Sequence, residues 1–123
     1  MNQFEWEESQ RFCMEDGDLV SIHSQEENDF LGQLMEDNGV ETINIGGFVK
    51  SNNDIINDYW AWSDGTYWNY TRWYPEYPTD NKYNDYFCIE LHNSEFGFRW
   101  YNDYCDKNRS FICKTNQLKK NKL

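Results

Sequence analysis

No stretch of this chain approaches the roughly 18–20 consecutive apolar residues that a membrane-spanning helix needs, so membrane insertion by this segment is not expected. Positive charge is also scarce. Eleven Lys and Arg stand against 22 Asp and Glu, leaving a formal charge of −11. Phosphate recognition needs a basic patch, which removes nucleic acid from the expected partners, and an anionic membrane surface is disfavoured for the same reason. Divalent cations and basic proteins stay compatible, and the charge also keeps an aromatic-rich surface soluble. The sequence lacks C-x-x-C pairs, G-x-S-x-G, H-E-x-x-H and any phosphate-cradling glycine loop. Its two histidines, His23 and His92, are far apart, and neither has a nearby nucleophile arrangement. The acid pair Glu26-Glu27 opens a helix instead of facing another acid. These absences argue against an enzyme.

Aromatic residues are what the chain has in plenty: six Trp, nine Tyr and eight Phe, 19% of 123 residues. The mean hydropathy of −1.01 would suit a disordered chain, but disordered segments are poor in aromatics. A core of large rings, each burying on the order of 150–250 Å², is expected in one domain. We place that domain at residues 1–116 and treat 117–123 as a basic tail that frays. The four cysteines, Cys13, Cys88, Cys105 and Cys113, read as two disulfides, and sequence alone allows three connectivities. Disulfides require an oxidising compartment. A secreted or extracellular location follows as an expectation, and with it a secretion signal upstream of Met1. Asn69-Tyr70-Thr71 and Asn108-Arg109-Ser110 fit the N-glycosylation sequon, which a secreted glycoprotein would carry.

Along the chain, residues 4–15 show helical periodicity, with Phe4, Trp6, Phe12 and Cys13 on or beside one face and Gly17 as the stop. Residues 18–22 read as a short extended piece. Ser24 with Glu27 three residues on has the form of a capping box, and Phe30, Leu31, Leu34 and Met35 continue a second helix to Asn38-Gly39. Strands are expected at 42–48, 60–62, 87–92, 98–104 and 110–114. Residues 66–86 have no period, hold both prolines, and form a long irregular loop of the kind that usually carries function. Helices first and strands afterwards indicate an α+β domain.

Several motifs in this order resemble the C-type lectin-like domain in its short form with two disulfides. The first helix ends in Cys13. Asp18-Leu19-Val20-Ser21-Ile22-His23-Ser24 leads into Glu26-Glu27-Asn28. Asn44-Ile45-Gly46-Gly47 stands where that family has Trp-Ile-Gly-Leu, with Asn in place of Trp. Trp60-x-Trp62-x-Asp64-Gly65 precedes Tyr70 and Trp73, and Cys88, Trp100, Cys105 and Cys113 close the pattern. The likeness covers roughly residues 4–115. It implies two helices flanking small antiparallel sheets, and the pairing Cys13–Cys113 and Cys88–Cys105. Loops of about 100 and about 17 residues would then be closed, worth roughly 4–5 and 3 kcal/mol in the chain-entropy model.

In sugar-binding members of that family one Ca2+ in the long loop orients vicinal hydroxyls, held by six to eight oxygens. Without gaps, Pro78 falls at the family's cis proline, flanked by Tyr77 and Thr79 in place of acid and amide. Tyr86 and Tyr101 fill two further ligand positions, leaving only Asn102. A shift of one residue instead brings Glu76, Asp80, Asp85, Asn102 and Asp103 into an oxygen cluster able to hold Ca2+, with Asn81 nearby. The resemblance thus implies a binding module for a carbohydrate, through Ca2+ in the long loop, or a Ca2+-independent protein-recognition domain. An ice- or mineral-interacting protein is a further form known in that family. Trp60, Trp62 and Trp100 are expected in the core. Trp68, Tyr77, Pro78, Thr79 and Tyr101 are the expected ligand contacts, with Tyr67, Tyr70, Tyr74, Tyr83 and Tyr86 as further rigid contact groups.

Overall fold

The structure is a computed structural model; it describes residues 3–50, 59–79 and 87–115. Helix α1 (Trp6–Cys13) is followed by β1 (Gly17–Leu19), α2 (Gln25–Asp37), β2 (Thr42–Lys50), β3 (Tyr59–Trp62), β4 (Phe87–Ser94), β5 (Gly97–Tyr104), β6 (Ser110–Phe111) and β7 (Cys113–Thr115). This is an α+β architecture, as the element order led us to expect. The tail at 117–123 lies outside the described residues.

Helix α1 is shorter at both ends than the periodicity suggested. Phe4 is instead held in a bridge to Arg109, through two backbone hydrogen bonds of 3.0 Å. Helix α2 begins at Ser24, whose hydroxyl accepts the Glu27 N–H. The Glu27 carboxylate reaches the backbone N–H of His23 rather than that of Ser24, so the expected box is offset by one residue. The helix ends where Gly39 takes a left-handed φ of 66°, a conformation that costs other residues more. On α2, Leu31 and Met35 are buried while Phe30 is exposed; the apolar stripe is narrower than its sequence suggests.

Strands β1 and β7 pair antiparallel, Leu19 opposite Cys113. The second sheet runs β3-β2-β4-β5, with β6 joining β2 in parallel. The single strand expected at 110–114 is divided at Ile112, whose carbonyl accepts the Val20 N–H. Cys13–Cys113 and Cys88–Cys105 are the disulfides. The first ties α1 to β7, and the second ties the start of β4 to the residue after β5.

The core lies between α2 and the second sheet. Ile22, Met35, Ile43, Ile45, Ile89, Leu91 and Trp100 are all buried there. Trp62 packs edge-on against Trp100, and Trp60, Trp68, Tyr70 and Trp73 close around them. A Cβ on Gly17 would come within 1.9 Å of the Lys114 carbonyl oxygen, so β1 needs glycine where it pairs with β7. Asn28 links helix to sheet. Its amide nitrogen donates to the Phe98 carbonyl and its oxygen accepts from Trp100 Nε1, at 2.9 and 2.8 Å. Buried polar groups satisfied in this way fix the relative position of two elements.

Candidate functional site

The segment after β3 comes back alongside β5. Trp100 N–H donates to the Arg72 carbonyl and Tyr74 N–H donates to the Trp100 carbonyl, at 2.8 and 2.9 Å. Side chains alternate along extended backbone. Trp73 and Trp100 therefore turn into the core, while Tyr74 and Tyr101 turn out. Tyr101 stacks on Tyr74 with ring centroids 4.6 Å apart, meets Tyr77 edge-on at 4.8 Å, and lies 4.1 Å from His92. Phe96, in the turn between β4 and β5, sits 5.4 Å from Tyr74 and is 51% exposed.

Polar groups fix these rings. The Tyr74 hydroxyl donates to Glu95 Oε1. That bond, with lesser help from desolvation and the Glu95 charge, pushes the phenol up to about 12. In return it holds the Glu95 carboxyl below its ordinary value. Burial, ahead of charge effects from Glu95 and Tyr77, raises the Tyr101 phenol. His92 is braced from beneath by the buried carboxylate of Glu90, Nε2 to Oε1 2.9 Å, whose second oxygen lies 3.3 Å from Arg109 Nε. A buried charge needs such partners.

Of the expected ligand contacts, Tyr77, Pro78, Thr79 and Tyr101 adjoin this patch. The Tyr77–Pro78 peptide is cis, the form implied for that proline. Trp68 is placed differently: it is half-buried against Trp60, Trp62 and Trp100, where it serves packing. Sequence reading included Tyr74 but missed His92, Glu95 and Phe96. A lone Phe in the polar turn Asn93-Ser94-Glu95-Phe96-Gly97 was the available signal.

The oxygen set proposed for Ca2+ is only partly described, since Asp80 and Asp85, with Asn81, lie outside the described residues. Asn102 is 6% exposed and is committed to the chain itself. Its oxygen accepts from Thr79 N–H at 2.9 Å, and its nitrogen donates to the Thr79 carbonyl and hydroxyl at 3.1 Å. Asp103 accepts from the Tyr104 N–H at 2.7 Å. Glu76 is exposed, on backbone with φ 73°. Among the described residues no three acidic, His or Cys side chains converge to hold a metal. Asn102, Asp103 and Glu76 do not by themselves fit a site for six to eight oxygens.

A second polar cluster is built around His23. Its Nε2 lies 3.2 Å from Ser21 Oγ and 2.9 Å from Thr66 Oγ1, and its Nδ1 lies 2.9 Å from Asn69 Oδ1. Ser21 and Thr66 both donate to Asp64, and Lys114 Nζ donates to Ser21. Burial raises the Asp64 carboxyl, but the bonds from Ser21 and Thr66 outweigh it and leave the group below its ordinary value. Ser21 is fully buried and gives its proton to Asp64. The cluster ties the 63–69 turn to β7 and to the segment before α2.

The Lectin C-type domain model matches residues 2–115. Lithostathine of Rattus norvegicus is 32% identical over 111 residues, covering 89% of this chain and 65% of its own; the chain thus spans slightly under two thirds of that relative. Among solved structures, a calcium-independent type II antifreeze protein superposes with a TM-score of 0.75 at 26% identity, over 93% of this chain and 81% of that one. The C-type lectin domain of murine dendritic cell inhibitory receptor 2, in complex with N-glycan, gives 0.70 at 26% identity, over 92% and 85%. With the disulfides and the topology already described, these likenesses establish that the chain belongs to the C-type lectin domain family.

Proposed function

We propose that this domain is an extracellular recognition module that binds a protein surface without Ca2+, through the patch formed by Tyr74, Tyr77, Phe96 and Tyr101. The observation that carries this reading is the packing of Tyr101 between Tyr74 and His92. Both neighbours crowd its ring, so it has little open face for a sugar, whereas ring edges, hydroxyls and the exposed Phe96 remain available. Tyr and Phe of this kind give large contact area at small entropy cost. The use of the Asn102 amide on Thr79 supports independence from Ca2+, and a calcium-independent relative of the same fold exists. The acidic net charge favours a basic partner. Two disulfides support an oxidising, extracellular compartment.

The test uses this chain as bait in extracellular fluid, with Phe96→Ser and Tyr74→Ala as controls. A protein captured by the parent and lost from both variants is then purified and titrated with Ca2+ and with EDTA. Equal affinity in both supports the proposal. The competing reading is a carbohydrate held through Ca2+ by Glu76, Asp80, Asp85, Asn102 and Asp103. EDTA-sensitive binding on a glycan array, with a Ca2+-dependent rise in melting temperature that Asp85→Ala removes, would establish that reading instead.

A further inference from the structure

Of the two sequons, only one presents both of its chemically required side chains to solvent. From Trp68 to Arg72 burial alternates: Trp68, Tyr70 and Arg72 are half-buried, while Asn69 and Thr71 are exposed. Residues two apart on such a segment share a face. The anchors are strong, since Trp68 packs against Trp60 and Trp62, and Tyr70 packs against Trp100 and donates to Gln25. The sequon is therefore pinned on its inward side and open on its outward side. Asn69 is also held in a usable form. Asn69 Oδ1, the atom that stays an amide oxygen after N-glycosylation, lies 2.9 Å from His23 Nδ1, and no described residue takes a hydrogen bond from Asn69 Nδ2.

The other sequon is built into the sheet. Asn108 is exposed, but Ser110 is 4% exposed on β6 and lies opposite Ile43 of β2. Arg109 between them is clamped to Phe4 by two backbone bonds and faces Glu90 through its guanidinium. Cys105 and Cys113, both in disulfides, flank the triplet. Once these bridges close, the hydroxyl residue of that sequon is out of reach.

We infer that Asn69 is an N-glycosylation site of this protein and that Asn108 is not modified. The inference rests on the extracellular reading above. In the step, Asn69 Nδ2 forms a bond to C1 of the reducing sugar of a lipid-pyrophosphate-linked oligosaccharide. The C1–O bond to pyrophosphate breaks, the lipid pyrophosphate leaves with that electron pair, and one amide proton is released. The glycan then projects from the surface next to His23 and Thr66.

The chain is expressed in mammalian cells behind a heterologous secretion signal, so that the outcome reports on the site and not on the native compartment. The expected result is one amidase-sensitive glycan, lost in Asn69→Gln and in Thr71→Ala and kept in Asn108→Gln and in Thr71→Ser. Peptide mass spectrometry of the parent after amidase treatment must show Asp at position 69 and Asn at 108, which needs no variant to fold. An unmodified parent, or a glycan at Asn108, would overturn the assignment. Whether the native protein is extracellular is settled separately by fractionating its source cells, and failure there would leave the site result standing.

Discussion

Two aromatic clusters sit back to back in this domain, built from adjacent residues. Trp73 and Trp100 face inward, with Trp60, Trp62 and Trp68; Tyr74 and Tyr101 face outward, with Tyr77 and Phe96. Each side takes one member of the Trp73-Tyr74 pair and one of the Trp100-Tyr101 pair. The inner cluster is closed by Asn28, which satisfies the indole of Trp100, whereas the outer one is tied at its edge by an exposed phenol–carboxylate bond. Similar ring chemistry thus serves cohesion on one face and contact on the other. The register of the segment at 72–74 against β5 sets which is which.

Trp100→Ala should show the contrast most strongly. Removing a ring with 0% exposure costs about 3–5 kcal/mol, read as a fall in the urea midpoint. Asn28→Ala should follow, because it leaves Trp100 Nε1 and the Phe98 carbonyl without partners in the interior, at about 2–4 kcal/mol. If Asn28→Ala costs no more than a surface change, the inner cluster does not depend on its polar closure. Asn102→Ala frees Thr79 from three hydrogen bonds and should cost about 1–3 kcal/mol, with weaker ligand binding. Tyr101→Ala on the outer face should cost only about 0.5–1.5 kcal/mol of stability yet abolish partner binding. A large stability loss with binding intact would reverse the roles assigned to the two faces.

The smallest effect concerns pH. Tyr74 is raised to about 12 from 10.0 by its bond to Glu95, so what that bond contributes is full below pH 10 and is lost as pH rises toward 12. Glu95 is depressed from 4.5, so its share is present above that value and is lost as pH falls through the lowered one. Tyr74→Phe should remove both dependences and move the urea midpoint no further than an ordinary surface substitution does. In a tyrosine absorbance titration a phenol that ionises near pH 12 should disappear.

Much of the fold was legible because its signals are local. Ser24 before an acidic turn gives α2, and the spacing of aliphatic residues gives β2 and β4. The division of 110–114 into β6 and β7 was not legible, since it is imposed by Val20 reaching Ile112 across the chain. The site was read less well. Tyr77 was visible as a ring in an irregular region, and Tyr101 as one beside Trp100 in an expected strand. Trp68 had the same appearance, but its neighbours place it with the core. His92 and Phe96 belong to the patch only because β4 and β5 form a hairpin beside residue 74. Ser21 and His23 are two residues apart, yet their meeting depends on Asp64 and Lys114, which lie far away in sequence.

The bridge between Cys13 and Cys113 joins residues 100 apart in the sequence, and this has a mechanical consequence. Once the contacts of the residues before Cys13 with β2 and Arg109 have given way, tension applied to the two flanking ends passes through the sulfur–sulfur bond and does not unravel the chain between the two cysteines. Only residues before Cys13 and after Cys113 can be drawn out under load. The residues that build the tyrosine patch all lie between the two cysteines, so such a load cannot pull that segment into an extended chain.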